Sequence, residues 1–498
     1  MPDPALLPAR NLYDIAALRA LEARAADALG DPFELMRRAG RAAWRELLAR
    51  WPQARRVLVV CGPGHNGGDG CVLAAHALRS GREVAVVRLP AHAPRGLAMP
   101  AEAMLREAGG HVQAFEGGLP DADVAVDALF GIGLARAPDA DTAQLIAAIN
   151  THPAPVLALD VPSGVDAATG AVPGAAVEAD CTLEFLLPKA GLRSGRALDH
   201  VGALALAMLD HRPAWCETAP AAYGLQAEAL AHWLAPRRRD SHKGRHGRVL
   251  CVGGDHGSGG ALLLCAEAAL RCGAGWVELA TREAHVVAAL ARLPEAMSNT
   301  VESGEALVAR LPAADALALG PGLGQQAWGR GLLRAAAHAP VPAVWDADAL
   351  NLLAAGAVEP PHGAAVLTPH PGEAARLLKC DAAAVQRDRF AAAHALAQRF
   401  GAVVVLKGAG TVVTAPERTP CVIEAGNPGM AVAGMGDVLT GVIAALLAQG
   451  LSPFDAACAG ALLHADAGDA AARDGERGLL PTDLMPWLRR QANPEPRA

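Results

Sequence analysis

The strongest constraint on this chain is a repeated alternation of short, β-rich apolar runs with helical stretches, because that order builds an open parallel sheet through right-handed βαβ crossovers. In the first half the apolar runs are 56–61, 83–89, 124–129 and 156–161, with helical periodicity at 71–79, 99–108 and 142–150. Runs at 181–187 and 203–209 extend the same sheet without intervening helices. Two helices precede the series, at 11–29 and 32–51, and Asp31 stands where it caps the second. A second series starts after a proline-bearing stretch, with runs at 248–253, 276–281, 316–319, 343–345, 365–367 and 403–406. Its helices include 261–272, 284–293, 349–355 and 372–379. The halves share no fixed-period repeat, so the expected fold class is two different α/β folds joined. The expected boundaries are 1–212 for the first domain, 213–225 for a linker and 226–498 for the second.

Composition fits two fully covered sheets: 52% of the 498 residues are hydrophobic and only 3% aromatic, so Ala, Val, Leu and Gly fill the cores. The net charge of -7, without long runs of one sign, gives no basic footprint for nucleic acid or an anionic membrane surface. Ten cysteines, among them Cys61, Cys71, Cys181 and Cys216, include no C-x-x-C pair, so neither a zinc site nor a disulfide framework is indicated. Residues 1–10 lack an apolar signal core, and no apolar run approaches the ~20 residues that span a bilayer. The expectation is a cytoplasmic homo-oligomer with small-molecule partners, no nucleic acid and no membrane.

Three strand ends in the first half carry polar chemistry. Cys61-Gly-Pro-Gly-His-Asn-Gly-Gly-Asp-Gly70 follows a strand and opens a helix, and Gly62, Gly64 and Gly67 let backbone amides approach a phosphate at the helix start. Arg88, not an acid, ends the next strand, which argues against a dinucleotide oxidoreductase. Asn66 and Asp69 add oxygens for a cation or a ribose. Asp127 and Asp160 stand at two further sheet edges, in Asp127-Ala-Leu-Phe-Gly-Ile-Gly133 and Asp160-Val-Pro-Ser-Gly164. Asn66, Asp127 and Ser163 are hard oxygen ligands that could converge on one cation, whereas singly the aspartates read equally as turn formers. Lys189 is a further candidate, although a lone lysine after a strand is usually solvated.

The strongest motif is Asn427-Pro-Gly-Met-Ala-Val-Ala-Gly-Met-Gly-Asp437, which runs into the apolar helix 438–447. Amides of Gly434, Met435 and Gly436 form an anion hole, and Asp437 in the first helical turn, whose ionised form the positive helix end favours, can accept a proton from a substrate hydroxyl. That arrangement suits phosphoryl transfer. Leu406-Lys-Gly-Ala-Gly-Thr411 offers Lys407 and free amides to a nucleotide, and Thr368-Pro-His-Pro-Gly-Glu373 holds His370 and Glu373 in a rigid frame. Gly320-Pro-Gly-Leu-Gly324 and Gly253-Gly-Asp-His-Gly-Ser-Gly-Gly-Ala261 expose backbone at two more strand ends. No Walker loop, kinase glycine loop with its lysine, or H-E-x-x-H motif occurs.

The G-x-G-D helix entry with K-G-x-G-T upstream resembles the ribokinase-like superfamily, and the full C-terminal set is similar to its ADP- or ATP-dependent NAD(P)H-hydrate dehydratase branch. The N-terminal set resembles the Rossmann-like NAD(P)H-hydrate epimerase domain, and the order of the two resembles bifunctional nicotinamide nucleotide repair enzymes. The resemblance implies that the substrates are hydrated NADH or NADPH and ADP or ATP. It places His65, Asn66, Gly67, Gly68, Asp69, Gly131, Ile132, Gly133, Leu134, Ala135, Arg136, Ala137 and Asp160 around the hydrate in the first domain. Asn66, Asp127 and Ser163 would hold K+. In the second domain Ala261, Gly322, His370 and Asp437 would contact the hydrate, while Lys407, Gly408, Ala409, Gly410, Thr411 and Gly436 would hold the nucleotide with Mg2+. Asp160 and Asp437 are the expected catalytic residues. His65 departs from the family, which usually has asparagine there; a backbone contact survives the change, so only a side-chain role is put in doubt.

Overall fold

The structure, a computed structural model, describes residues 9–133, 136–210, 218–361 and 364–494. The chain forms two compact units: residues 11–222, and residues 223 onward together with Ala9 and Arg10.

In the first unit a seven-stranded sheet runs in the order Val112–Ala114, Glu83–Arg88, Arg56–Cys61, Val124–Ala128, Val156–Leu159, Cys181–Phe185, Ala203–Ala207. All neighbours are parallel. From Arg56–Cys61 the chain builds outward to one edge, then crosses back to Val124–Ala128 and builds to the other. The crevice at that reversal, outside the strand carboxyl ends, is where open α/β sheets take ligands. Val57, Val59 and Cys61 bury on one face and Leu58 and Val60 on the other, so the strand reads as continuous apolar sequence. Each such Val or Leu, fully buried, contributes about 1.5–3 kcal/mol. Asp31 caps helix Pro32–Arg50, accepting the Phe33 amide at 2.9 Å, as expected.

The second unit is an eleven-stranded sheet in the order Met297–Thr300, Trp276–Thr281, Arg248–Val252, Ala316–Leu319, Ala343–Trp345, Ala365–Leu367, Val403–Leu406, Val412–Thr414, Cys421–Ile423, Ala222–Leu225, Ala9–Leu12. The first seven strands are parallel. Val412–Thr414 then pairs antiparallel with both neighbours. The reversal point lies between Arg248–Val252 and Ala316–Leu319. Helix Met435–Ala448 is buried along almost its whole length between helices Gly259–Arg271 and Pro453–Ala471, which fixes the direction of its first turn.

Two differences from the sequence reading concern extent. Residues 222–225, expected in the linker, are a strand parallel to Cys421–Ile423, and the unit boundary falls between Ala222 and Tyr223. Residues 213–217 of that linker, with Cys216, lie outside the described residues. Asn11 and Leu12, expected in the first helix, belong with Ala9 and Arg10 to an edge strand, and the helix runs Ile15–Leu29. Elements of three or four residues at a sheet edge carry too short a pattern to read. Among the described residues no helix is long and apolar enough to cross a membrane.

Candidate active sites

At the first reversal point, helix His65–Arg79 begins inside the glycine-rich segment, six residues before the sequence periodicity marks it. Asn66, Gly67, Gly68 and Asp69 therefore form a buried first turn, while His65 is exposed. A Cβ on Gly62 would fall on the Leu129 carbonyl, so only glycine lets this turn pass against the neighbouring strand end. Arg88 is engaged by Glu102 at 2.8 Å.

Asp127, fully buried, accepts from Ser163 Oγ at 2.7 Å, from the Ser163 amide at 2.7 Å and from the Leu129 amide at 3.2 Å. Burial pushes its pKa up to about 6 against the pull of those hydrogen bonds. Ser163 Oγ also accepts from the Phe130 amide at 2.8 Å. Asn66 Nδ2 donates to the carbonyls of Phe130 at 2.8 Å and Leu159 at 3.0 Å, while its buried Oδ1 has no hydrogen-bond partner. An orphaned buried acceptor is costly and marks a place for a donor or a cation. Asn66 and Ser163 thus meet at one carbonyl, that of Phe130, and Asp127 joins them through Ser163.

Asp160 sits one strand further, in the left-handed region at φ 67°. Its Oδ1 accepts from Lys189 Nζ at 2.6 Å and the Phe185 amide at 3.1 Å. Its Oδ2 lies 3.5 Å from where a Cβ on Gly131 would stand, and Asn66 Cβ lies 3.6 Å from the same point. One carboxylate oxygen is therefore held and the other turned toward Gly131 and Asn66. Lys189, a candidate whose alternative was a solvated side chain, is 1% exposed. Its backbone is stitched to the chain's first helix region, since the Tyr13 amide donates to the Pro188 carbonyl at 2.9 Å and the Ala190 amide to the Tyr13 carbonyl at 3.0 Å. The Lys189 amide is held by Glu184, which a buried ion pair with Arg193 anchors at 2.6 Å.

Two more carboxylates share this electrostatic neighbourhood. Burial, then Asp160 and Glu22, raise the pKa of Asp69, and burial followed by Asp160 pushes Glu22 up to about 7. Sequence reasoning missed Glu22, because a glutamate inside an amphipathic helix carries no local signal. Ile132 is half-buried beside Gly131, whereas Gly133, Arg136 and Ala137 are exposed. Leu134 and Ala135 lie outside the described residues.

In the second unit, loops 253–258 and 320–324 meet at the reversal point. The Gly254 amide donates to the Pro321 carbonyl at 3.0 Å and the Asp255 amide to the Gly322 carbonyl at 2.6 Å. Ala261 is half-buried in the first turn of helix Gly259–Arg271. His370 caps helix Pro371–Leu378: its Nδ1 accepts the Gly372 amide at 3.0 Å, and Glu373 accepts the His370 amide at 2.9 Å. Burial, with Lys407, lowers the His370 pKa, and the ring's Nε2 lies 3.4 Å from Glu373 Oε1.

Lys407–Thr411 is the turn of the hairpin between Val403–Leu406 and Val412–Thr414. Gly408 and Ala409 are exposed, and Thr411 Oγ1 donates to the Gly408 carbonyl at 3.0 Å. Lys407 Nζ, however, is 2.6 Å from Asp346 Oδ1 and 3.9 Å from Glu373. Burial acts downward on its pKa, but Asp346 and Glu373 outweigh that and raise it. Asp346, missed in the sequence, is 1% exposed and also accepts from Thr368 Oγ1 at 2.8 Å and Thr440 Oγ1 at 2.9 Å. Only the strand end before helix Ala347–Ala354 could have pointed to it.

Helix Met435–Ala448 opens with Gly434 as its left-handed N-cap. A Cβ on Gly436 would stand 3.2 Å from Lys407 Nζ and 3.3 Å from Asp346 Oδ2, so the next residue, Asp437, starts beside this pair. The helix end's preference for an ionised Asp437 is opposed by two other effects. Burial, then the Asp346 charge, push its pKa up to about 7, because both disfavour a second negative charge more than one helix terminus favours it.

Residues 249–490 match the NAD(P)H-hydrate dehydratase family and residues 32–191 the YjeF-related protein N-terminus family. The bifunctional NAD(P)H-hydrate repair enzyme of Escherichia coli is 48% identical over 96% of this chain and 93% of its own length. That of Coxiella burnetii is 43% identical over 97% and 99%, and that of Leishmania braziliensis 41% over 96% and 93%. Among solved structures, a ribokinase-like superfamily protein of Enterococcus faecalis superposes with a TM-score of 0.50 at 29% identity, covering 54% of this chain and 96% of that one. The two matched segments fall one in each compact unit, and the chain belongs to the family of bifunctional NAD(P)H-hydrate repair enzymes.

Proposed function

We propose that the first unit interconverts the two epimers of hydrated NADH or NADPH, and that the second removes water from the S epimer at the expense of ADP or ATP. In the first unit Asp160 Oδ2 gives a proton to the ring hydroxyl, which leaves as water while the ring nitrogen's lone pair forms an iminium. Water then adds to the opposite face and returns its proton to the carboxylate. Lys189 and the Phe185 amide hold Oδ1, so only Oδ2 swings toward the substrate. Gly131, Ile132, Gly133, Arg136 and Ala137 line the approach, with amides of 65–69 at the helix start for the phosphates.

The residues fit a potassium ion. Asp127, Ser163 and Asn66 supply one carboxylate, a hydroxyl and the orphaned amide oxygen, a hard oxygen set of low charge. Bound there, the ion would supply a fixed positive charge beside the substrate's oxygens.

In the second unit Asp437 takes the proton of the ring hydroxyl as that oxygen bonds to the nucleotide's terminal phosphorus and the bridging P–O bond breaks. Phosphorylation makes a good leaving group. The ring nitrogen then expels phosphate, and loss of a proton from the adjacent ring carbon restores the dihydropyridine. Amides of 434–436 and 408–411 hold the phosphates, and Ala261, Gly322 and His370 the hydrate. Magnesium binds mainly through the nucleotide's phosphates and waters, and there it would supply charge neutralisation.

The observation that carries this reading is the placement of Asp437 one residue from Gly436, against the Lys407–Asp346 pair, with its pKa near 7. A base so poised works best near neutral pH. The test is to supply both hydrate epimers with ADP or ATP and follow recovery of reduced-nicotinamide absorbance with release of free phosphate. A stable phosphorylated product in place of free phosphate would instead make the second unit a small-molecule kinase.

A further inference from the structure

Arg389 is the first residue of helix Arg389–Phe400 and is fully buried. A guanidinium is costly to bury, and burial draws its pKa only to about 10, so it keeps its charge at neutral pH. Its Nη2 donates to the carbonyls of Leu406 at 3.1 Å and Lys407 at 3.3 Å, and Nη1 to Gln386 Oε1 at 2.8 Å. The planar fork thus ties the end of strand Val403–Leu406 to the first residue of the turn, a geometry that a lysine cannot reproduce.

The same group lies under Gly408. At φ 131° that residue favours glycine, and a Cβ there would stand 3.1 Å from Arg389 Nη1 and 3.3 Å from Nη2. The turn is therefore thin at this point, with the guanidinium on its inner side and solvent on the outer, where Gly408 and Ala409 are exposed. Lys407, the cation that the sequence offers for phosphate, is engaged by Asp346 at 2.6 Å. The positive charge behind the turn is Arg389.

We propose that Arg389 is a positioning residue for the nucleotide phosphates: from beneath the 407–411 turn it fixes the carbonyls of Leu406 and Lys407, so that the turn's amides face outward, and adds positive potential behind them. This deepens the proposed dehydratase site and rests on the reading that the turn holds ADP or ATP. Bringing an anion to the far side of Gly408 offsets part of the cost of the buried cation, which favours the phosphate-bound state without direct contact.

The experiment compares wild type, Arg389→Met and Arg389→Lys in the full chain, with ADP as the varied nucleotide. Arg389→Met raises the KM for ADP about 10–100-fold, the usual worth of hydrogen bonds to a charged group, and leaves kcat at saturating ADP and the KM for the hydrate within about threefold. Its KM for ADP also rises less steeply with added KCl than the wild-type value, because a charge has been removed. Arg389→Lys, which keeps the charge without the fork, falls between the two. A KM for ADP unchanged in both variants, or a drop in kcat with hydrate and ADP KM moving together, overturns the proposal. Should Arg389→Met fail to fold by thermal unfolding, Arg389→Lys decides alone, and an unchanged KM for ADP overturns it. Equilibrium dialysis of wild type against labelled ADP and ATP separates the two levels: no binding to wild type refutes the nucleotide reading itself, whereas binding to wild type with no change in the variants refutes only the role of Arg389.

Discussion

The two sites of this chain treat their key carboxylates in opposite ways. Asp160 is strained into φ 67° and bound through one oxygen by a buried lysine. Asp437 sits in a relaxed helical turn beside an ion pair whose aspartate already occupies the lysine, and burial with that aspartate lifts it to a pKa of about 7. The contrast suits the two reactions. Epimerisation moves a proton out and back, so geometry toward both faces of the ring matters most; phosphoryl transfer needs a net proton acceptor, and basicity near neutral pH matters most.

The largest test of this contrast is Asp437→Asn, expected to lower dehydratase turnover by about 10²–10⁴-fold, the usual worth of a positioned base. Nucleotide binding and epimer exchange should persist; near-normal turnover would take Asp437 out of the mechanism. Asp160→Asn should slow epimer exchange by about 10²–10³-fold and leave dehydration of the S epimer untouched, which NMR exchange and absorbance recovery measure separately. Unchanged exchange would reduce the first unit to a binding module. Ser163→Ala, which takes a hydroxyl from Asp127, should weaken potassium activation of the epimerase by about 10–100-fold; an identical potassium titration would move the cation elsewhere.

The pH dependence should also differ between the halves. Asp437 must be ionised to accept a proton, so dehydratase kcat falls as pH drops through about 7. An acid limb near the ordinary carboxylate pKa of about 4 would contradict the crowding by Asp346. The smallest effect is on stability. A carboxyl raised from 3.8 to about 7 on folding retains its proton in the folded state between those values. Its ionisation therefore costs stability, fully above pH 7 and not at all below about pH 4. Asp437→Asn should raise the unfolding temperature of the second unit at pH 8 and leave it almost unchanged at pH 4.

The sequence disclosed most of the parallel strands to within a residue or two because buried βα units write continuous apolar runs, and it disclosed the glycine turns because glycines at strand ends are rare without cause. The strands Val412–Thr414 and Cys421–Ile423 and those at 112–114, 297–300, 222–225 and 9–12 escaped because three or four residues form no period. Asp127, Ser163 and Asn66 were legible as strand-end polar residues. Asp346, Glu22 and Arg389 were not placed, and Lys189 was named without its burial, since burial of a charged side chain depends on partners distant in sequence. The opposing pull on Asp437 was not legible for the same reason: the helix start is local, whereas Asp346 lies 91 positions away.

The most direct measurement follows a mixture of both hydrate epimers with ADP in three chains: wild type, Asp160→Asn and Asp437→Asn. Wild type should return all the hydrate to reduced cofactor with free phosphate, Asp160→Asn should stop near the share initially present as the S epimer before slow spontaneous exchange, and Asp437→Asn should return almost none. Full, rapid recovery by Asp437→Asn would contradict the account.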